Sequence, residues 1–143
     1  MELRFASKKD VPDIAELMKE LGYPTDTESI KNRLDNIKQR NGRVIVAVDE
    51  SGEVTGCVHA FVDLRLAEGE IGEIVSLVVK KEFRGKGIGT RLLNNAKLWI
   101  QQSGCEKIRI RANAVRKEAH QFYKEQGFEE IKSQKIFQIN HSS

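Results

Sequence analysis

Hydrophobic residues in the first forty positions recur at the spacing of amphipathic helices. Residues 2–6 alternate between apolar and polar and predict a short first strand. Asp10 can then cap a helix that carries Pro12 in its permitted first turn, and Thr27 can cap a second one after the break at residues 22–24. Their apolar stripes are Ile14, Leu17, Met18 and Leu21 in the first helix, and Ile30, Leu34 and Ile37 in the second. The pattern predicts two amphipathic helices in tandem.

The middle of the chain has the pattern of a β-sheet. Residues 43–49 and 54–66 flank a turn at 50–52 and predict a hairpin. Residues 70–79 become almost continuously apolar toward their end, which is typical of a strand covered on both faces. From Gly87 the apolar period becomes helical and stops at residues 103–104. We therefore place the strand at 70–79 in the centre of the sheet.

The last third repeats the alternation of strand and helix. Residues 107–112 predict a strand that a helix separates from the 70–79 strand, so the two should lie parallel in a right-handed crossover. Residues 116–126 predict a last helix capped by Gly127, and residues 128–139 supply terminal strand material. The order of elements predicts an α+β (α/β) domain with a mixed sheet covered by helices. Without a repeat or a linker, residues 1–143 should form a single domain.

Composition and charge narrow the function. The 24 Lys and Arg residues against 21 Asp and Glu give a formal charge of +3, spread over both halves, so we expect no nucleic-acid partner. Cys57 and Cys105 lack the spacing of a metal or redox site and are interpreted as buried free thiols of a reducing compartment. The chain shows neither an apolar run of membrane-spanning length nor a signal-like start, which favours a cytoplasmic protein without a membrane partner.

Residues 78–90 carry the strongest chemical signal in the sequence. Gly85, Gly87 and Gly89 occupy alternate positions where the central strand should run into a helix. Glycines there leave backbone N–H groups bare at a helix N-terminus, which attracts a phosphate or pyrophosphate. The spacing fits neither a Walker A loop nor the dinucleotide fingerprint. The alternative is that the glycines only permit a tight turn.

Two motifs together resemble one family. The run from Arg84 to Gly89, RGKGIG, resembles the Arg/Gln-x-x-Gly-x-Gly/Ala signature with which the GNAT superfamily of N-acetyltransferases binds the pyrophosphate of CoA. Residues 119–128, AHQFYKEQGF, are similar to the Ala-x-x-x-Tyr-x-x-x-Gly-Phe helix of that family, and the order of elements matches over the whole chain. The resemblance implies a GNAT fold, with a twisted mixed sheet of six to seven strands, about four helices, and splayed parallel fourth and fifth strands. It also implies transfer of the acetyl group of acetyl-CoA directly to a primary amine, without a metal.

The resemblance further implies where acetyl-CoA binds. The pantetheine arm would pair with the open edge of the fourth strand at Leu77, Val78 and Val79, and the N–H of Val78 or Val79 would hold the thioester oxygen. The phosphates would lie on the following loop and first helical turn, formed by Arg84, Gly85, Lys86, Gly87, Ile88, Gly89 and Thr90. Where the family often has an Asn that contacts CoA, this chain has Arg116, with Asn113 three residues earlier. Which of the two touches CoA stays open.

Two residues are candidates for proton transfer. The resemblance places Tyr123 beside the CoA sulfur as the general acid for the leaving thiolate, and a core tyrosine is the alternative. Glu73 lies on the fourth strand where many relatives carry a catalytic glutamate. It is the candidate base, and it could equally face outward or contact a cationic acceptor.

The acceptor is the least determined part. In the family the two N-terminal helices and their link roof the acceptor cleft, so Tyr23 is a candidate substrate contact, together with the acidic residues Glu20, Asp26 and Glu28. We expect a small-molecule amine. The alternatives are a protein N-terminus or lysine as acceptor, or a non-catalytic CoA-sensing or partner-binding module on the same fold. A homodimer stays possible.

Overall fold

A computed structural model describes residues 1–111 and 117–141 of the protein. They fall into two compact units, Met1–Arg111 and Ala112–Ser143. The first unit has five strands, β1 (Glu2–Phe5), β2 (Gly42–Val48), β3 (Val54–Arg65), β4 (Gly69–Val79) and β5 (Ile108–Ile110). Its α-helices are α1 (Val11–Leu21), α2 (Thr27–Gln39) and α3 (Ile88–Gln102). Short 3-10 turns occupy Lys8–Asp10 and Lys81–Phe83.

The strands form one mixed sheet in the order β1-β2-β3-β4-β5. The first four pair antiparallel, and β5 lies parallel to β4, as the helical crossover between them predicts. The predicted hairpin of β2 and β3 and the predicted parallel pair are both confirmed.

The expected strand count was too high. The described part of the chain has five strands, and residues 128–141 adopt no helix or strand and are almost all exposed. An alternating apolar pattern favours extended backbone, but a strand exists only where a neighbour pairs with it. The pattern at 128–139 therefore overpredicted the sheet.

The two faces of the sheet are covered by different helices because side chains alternate along each strand. On one face, Cys57 of β3 and Val46 of β2 join a core with α1 and α2, where Leu17 and Ile30 are buried. On the opposite face α3 packs closely and buries Leu92, Leu93, Ala96 and Ile100. Cys57 and Cys105 are both buried free thiols, as predicted, and burial raises the pKa of Cys57 to about 12.

The start of α1 is held by a buried ion pair. Asp10 occupies the predicted cap position, but its carboxylate accepts hydrogen bonds from both terminal nitrogens of Arg4, at 2.8 and 2.9 Å, and from the Ser7 N–H at 2.8 Å. Burial alone would raise the pKa of the Asp10 carboxyl; the hydrogen bonds from Arg4 and Ser7 outweigh it and lower that pKa. The pair thereby ties β1 to the entry of α1.

The second unit contains α4 (Lys117–Glu125). Tyr123 lies on this helix with its ring edge-on to Phe122 and Phe128, at centroid distances of 5.6 and 6.3 Å. Gly127 adopts a φ of 91° directly after the helix, and the Phe128 N–H donates to the Tyr123 carbonyl. The left-handed glycine ends the helix as the sequence predicted.

Candidate active site

Strand β4 loses its β5 neighbour halfway along its length. The parallel ladder pairs Gly72 with Ile108 and Ile74 with Ile110. Beyond Ile74, no residue in the described part of the chain pairs with that edge of β4. Among the described residues, the end of β4 (residues 75–79) is therefore paired with β3 alone, and its other side is called the open edge below.

A β-bulge sits where the open edge begins. Between the pairs His59 to Val75 and Cys57 to Val78, β4 has one more residue than β3. The bulged Ser76 adopts a φ of 54°, in the left-handed region that non-glycine residues rarely enter. The bulge redirects the end of β4, and no glycine in the sequence marks its position, because the residue with the positive φ is a serine.

The orientation of Val79 follows from its two neighbouring peptide groups. The Lys80 N–H donates to the Thr55 carbonyl on β3 at 2.8 Å. In a trans peptide the carbonyl of Val79 points the opposite way, toward the open edge, where Arg84 Nε donates to it at 3.0 Å. Strand alternation then directs the Val79 N–H to the same edge. Leu77 and Val79 are half-buried, and Val78 is buried against α1 and α2.

The glycine-rich loop leads from this edge into α3. Gly85 and Gly87 have φ values of 78° and 81°, and a Cβ built on either one meets nothing within 4 Å. Gly87 caps α3 without a side-chain hydrogen bond, and the first turn holds no acidic residue. The amides of Ile88 and Gly89 lack partners within the helix by its geometry. The positive end of the α3 dipole thus faces a space where a backbone-bound anion fits.

Basic residues of the loop are held in place by local contacts. Lys86 stacks its ammonium over the Phe83 ring at 5.4 Å. Glu20 of α1 accepts from the Lys81 N–H at 2.7 Å and from Arg84 at 3.4 Å. Glu20, an expected acceptor contact, therefore anchors the loop to α1.

A cavity of about 570 Å³ opens between α1, α2 and the face of the sheet. Ser76 of the bulge contributes to its wall, so the cavity reaches the start of the open edge of β4. Its lining is largely apolar, and the polar and reactive residues in it are Arg33, Asn36, Arg40, Cys57, His59 and Ser76. This volume is in the range of small-molecule sites.

The titratable groups of this cavity are not those that the sequence singled out. His59 projects from β3 beside Phe61, with ring centroids 5.3 Å apart, and burial lowers the pKa of the imidazole. A lowered pKa keeps His59 uncharged at neutral pH, so it can accept a proton. Arg33 and Arg40 supply two positive charges from α2 and its C-terminus.

Glu73 lies elsewhere on β4, outside the lining of this cavity. Its side chain is buried, and one carboxylate oxygen accepts from Arg65 at 2.6 Å and from Arg111 at 3.1 Å. The other oxygen accepts from Arg111 Nε at 3.1 Å. Both oxygens of Glu73 are thus engaged by guanidinium groups.

The remaining expected residues are distributed as follows. Tyr23 is 64% exposed and does not line the cavity, and Asp26 caps α2 through Ser29 at 3.0 Å. Tyr123 belongs to the second unit. Asn113 and Arg116 lie outside the described residues.

Sequence reasoning missed His59, Ser76 and the two arginines of α2. Two periodicities in the sequence pointed to some of them. In the helical period, Arg33 and Arg40 flank the apolar stripe of α2, and in the strand period, His59 shares a face with Cys57. Neither the helical period nor the strand period shows that this face of α2 and this face of the sheet enclose a cavity.

The comparisons with known proteins agree with this geometry. The model of the acetyltransferase (GNAT) family matches residues 11–128, so the chain belongs to that family. It is 32% identical over 139 residues to an aminoalkylphosphonate N-acetyltransferase of Salmonella typhimurium, with 90% of this chain and 85% of that protein covered. The protein is therefore an acetyl-CoA-dependent N-acetyltransferase.

Solved structures confirm the GNAT fold. AAC(6')-Iy, solved with the bisubstrate analogue CoA-S-monomethyl-acetylneamine, superimposes with a TM-score of 0.85 at 16% identity over 98% of both chains. Glucosamine-6-phosphate N-acetyltransferase from Arabidopsis thaliana gives 0.77 at 21% identity over 99% of this chain and 97% of that one. In the described part of the chain, no helix combines the length and apolar character needed to cross a membrane.

Proposed function

We propose that this protein transfers the acetyl group of acetyl-CoA to the primary amine of a small acceptor bound in the cavity between α1, α2 and the sheet. The observation that carries the proposal is the continuity of three features. The open edge of β4 leads through residues 80–87 to the start of α3, where no side chain caps the helix, and the bulged residue Ser76 lines the cavity. A long thioester and a small amine can thus reach one point from two sides.

Acetyl-CoA supplies the acetyl group as an activated thioester. The amides of residues 85–90 would hold its pyrophosphate, since Gly85 and Gly87 leave the space above the backbone clear. The open edge at Leu77, Val78 and Val79 would pair with the pantetheine arm. Of these, the Val79 N–H points to the open edge and is the donor we propose for the thioester oxygen as negative charge develops there.

The attacking amine must lose a proton, and we propose that His59 accepts it. His59 lines the cavity and is kept neutral by burial. Glu73, the base that the sequence suggested, is the rival candidate. Its two oxygens already accept hydrogen bonds from Arg65 and Arg111, so both are occupied by guanidinium donors.

Tyr123 is our proposed acid for the departing thiolate. It matches the tyrosine of the family's second motif, and a phenol, with an ordinary pKa of about 10, can donate a proton to a thiolate. Its ring is held by Phe122 and Phe128, so its hydroxyl can be removed without removing its packing.

A small acceptor suits the cavity better than a folded protein. The cavity has a bounded volume of about 570 Å³, with walls from two helices and three strands. Two of the proteins named above act on an aminoalkylphosphonate and on glucosamine 6-phosphate, and the third, AAC(6')-Iy, binds an acetylneamine analogue; all three ligands are small molecules. We propose an acceptor of this size, and we keep protein amines as the second class to be tested.

The test is release of the CoA thiol from acetyl-CoA in the presence of an amine panel that includes amino alcohols, amino sugars, polyamines and short peptides. We expect turnover with at least one small amine. With that amine, Tyr123→Phe should lower kcat by about 10²-fold with little change in acetyl-CoA affinity, because only a hydroxyl is lost. Phe122→Leu is the control for altered packing of the same ring cluster.

The alternatives have distinct outcomes. Tight binding of acetyl-CoA without turnover of any amine would favour a non-catalytic CoA-binding module. Turnover of peptides alone would favour a protein acetyltransferase. A Tyr123→Phe variant that keeps wild-type kcat, with the chemical step shown to be rate-limiting, would overturn Tyr123 as the acid.

A further inference from the structure

We propose that the acceptor amine carries a doubly charged oxyanion, a phosphate monoester or a phosphonate, and that Arg33 and Arg40 recognise it. The inference rests on the proposed function and adds the chemical class of the substrate. It starts from the charges of the cavity, which come from the N-terminal half of the chain.

Arg33 lies on α2, and Arg40 is the residue that follows the last turn of this helix. They are seven residues apart, which is close to two helical turns, so both guanidinium groups emerge on the side where Ile30 and Ile37 also line the cavity. No carboxylate occurs among the described residues that line this cavity. Its lining therefore carries two positive charges, both on exposed arginines, and no carboxylate among the described residues.

These two arginines differ from others in the same unit. Arg4 donates to buried Asp10, and Arg65 and Arg111 donate to buried Glu73. Neither Arg33 nor Arg40 forms a side-chain hydrogen bond or a salt bridge with any described residue. Arg33 interacts with a carboxylate only through space, since its charge contributes to lowering the pKa of Asp26. Their hydrogen-bond donors are available to a ligand.

The apolar lining makes these charges selective. Arg33 and Arg40 are exposed, but the apolar residues beside them exclude part of the water around a bound molecule, which strengthens its attraction to the guanidinium groups. These apolar residues are Ile14, Met18, Ile30, Leu34 and Val44. Arginine presents a planar set of donors that matches phosphate and phosphonate oxygens. The same charges repel a second ammonium group, so a polyamine or a multiply charged aminoglycoside is a poor acceptor.

The cavity also orders the two ends of such a substrate. The arginines come from α2, while His59 and Ser76 come from β3 and from the bulge of β4 on the sheet side. An acceptor with its oxyanion toward α2 presents its amine to the sheet, where the proposed base and the open edge of β4 lie. The bound oxyanion at one end of the acceptor therefore places the attacking amine at the other end, beside the sheet.

The test compares amines that differ only in the anionic group. Suitable pairs are ethanolamine with O-phosphoethanolamine, glucosamine with glucosamine 6-phosphate, and 3-aminopropanol with 3-aminopropylphosphonate. We expect the anionic member to have at least a tenfold higher kcat/KM in one or more pairs. In the double variant Arg33→Gln/Arg40→Gln this preference should fall at least tenfold, the effect of losing one charge-assisted hydrogen bond.

The matched control is Lys31→Gln/Lys38→Gln. It removes the same charge from the same helix at exposed positions outside the cavity lining. This control should keep the wild-type preference, and Arg33→Lys/Arg40→Lys should keep part of it. Circular dichroism and acetyl-CoA binding confirm that every variant folds.

Three results would overturn the inference. Neutral amines could be acetylated as well as their anionic partners in all pairs, in which case the proposed function stands and the substrate class is wrong. The arginine and lysine double variants could lose the preference equally, which would make it an effect of net charge alone. If acetyl-CoA binds and no amine of either kind is acetylated, the proposed function fails first.

Discussion

His59 and Glu73 are the two residues that compete for the role of proton acceptor, and their surroundings differ. The Glu73 carboxylate is buried among guanidinium groups and contributes to holding β3, β4 and the end of β5 together. His59 faces a cavity, and burial lowers the pKa of its imidazole. On this contrast rests our proposal that His59, one strand away from Glu73, accepts the proton of the acceptor amine.

We expect His59→Gln to lower kcat/KM by about 10²-fold, because general base catalysis contributes that much or more. The pKa of His59 is below its ordinary value of about 6.5, so the active, neutral form persists as pH falls from 7 and is lost only below that value. The acid limb of the pH profile of kcat/KM should therefore lie below pH 6.5 and disappear in the variant. The charged or titratable groups that share the cavity are Arg33, Arg40 and Cys57, and the Cys57 thiol stays protonated in this range.

Glu73→Gln separates the two candidates. It removes the buried anion that Arg65 and Arg111 share, although Arg65 keeps its ion pairs with Asp63 and Glu68. The variant should therefore lower the midpoint of urea unfolding, whereas His59→Gln should not. The exposed His141→Gln serves as the control for histidine loss. If Glu73→Gln abolished the acid limb while His59→Gln kept it, Glu73 would be the base.

At the scale of elements, glycines set how closely the helices approach the sheet. A Cβ on Gly72 of β4 would lie 2.3 Å from Ile100 Cγ2 of α3, and one on Gly42 of β2 would lie 2.8 Å from Ile37 Cγ2 of α2. Neither glycine has a positive φ. Their role is therefore close packing, which brings α3 and α2 onto opposite faces of the sheet and fixes the width of the cavity under α2.

Gly72→Ala should lower the free energy of unfolding by about 1–3 kcal/mol, because the new methyl group clashes with the branched part of Ile100 and not with a flexible end. Urea denaturation measures the loss. Combining it with Ile100→Ala makes room for the methyl group, so the double variant should be more stable than the sum of the two single effects predicts. Strict additivity would show that the backbone had moved and that the contact does not limit the packing.

At the scale of the whole molecule, acetyl-CoA should stabilise the folded state, because a ligand that binds only the native protein shifts the unfolding equilibrium. At a concentration of 100 Kd the expected gain is about 2.7 kcal/mol, visible as a rise in Tm. Gly87→Ala should reduce that rise, because its Cβ enters the space above the backbone where the pyrophosphate is proposed to bind.

Gly52→Ala is the matched control. Gly52 has a φ of 88°, close to the 81° of Gly87, and a Cβ there also meets nothing within 4 Å. Both variants should lose similar stability without ligand, since alanine is strained at a positive φ. Only Gly87→Ala should lose the response to acetyl-CoA. An equal response in the two variants would place the pyrophosphate away from the start of α3.

Local pattern determined much of this protein. Four predicted features depend on residues near each other in the chain: the tandem helices, the hairpin, the parallel crossover and the glycine-rich turn. The spacing and backbone preferences of such residues act before any tertiary contact forms. The motif at residues 84–89 and the motif at 119–128 together indicated the family, and both the family and its fold are confirmed. The prediction of a strand at residues 128–139 was wrong, because a strand needs a neighbouring strand to pair with and the local sequence pattern does not show whether one is present.

Tertiary structure alone decided the cavity and its chemistry. Its wall combines α1 and α2 with three strands, so its lining brings together residues up to 62 positions apart, from Ile14 to Ser76. Three features of the site depend on what is packed beside each residue. They are the bulge at Ser76, the neutral state of His59 and the hydrogen bonds of Glu73 with two arginines. A sequence gives the order of such groups, and only packing determines which of them share one low-dielectric space.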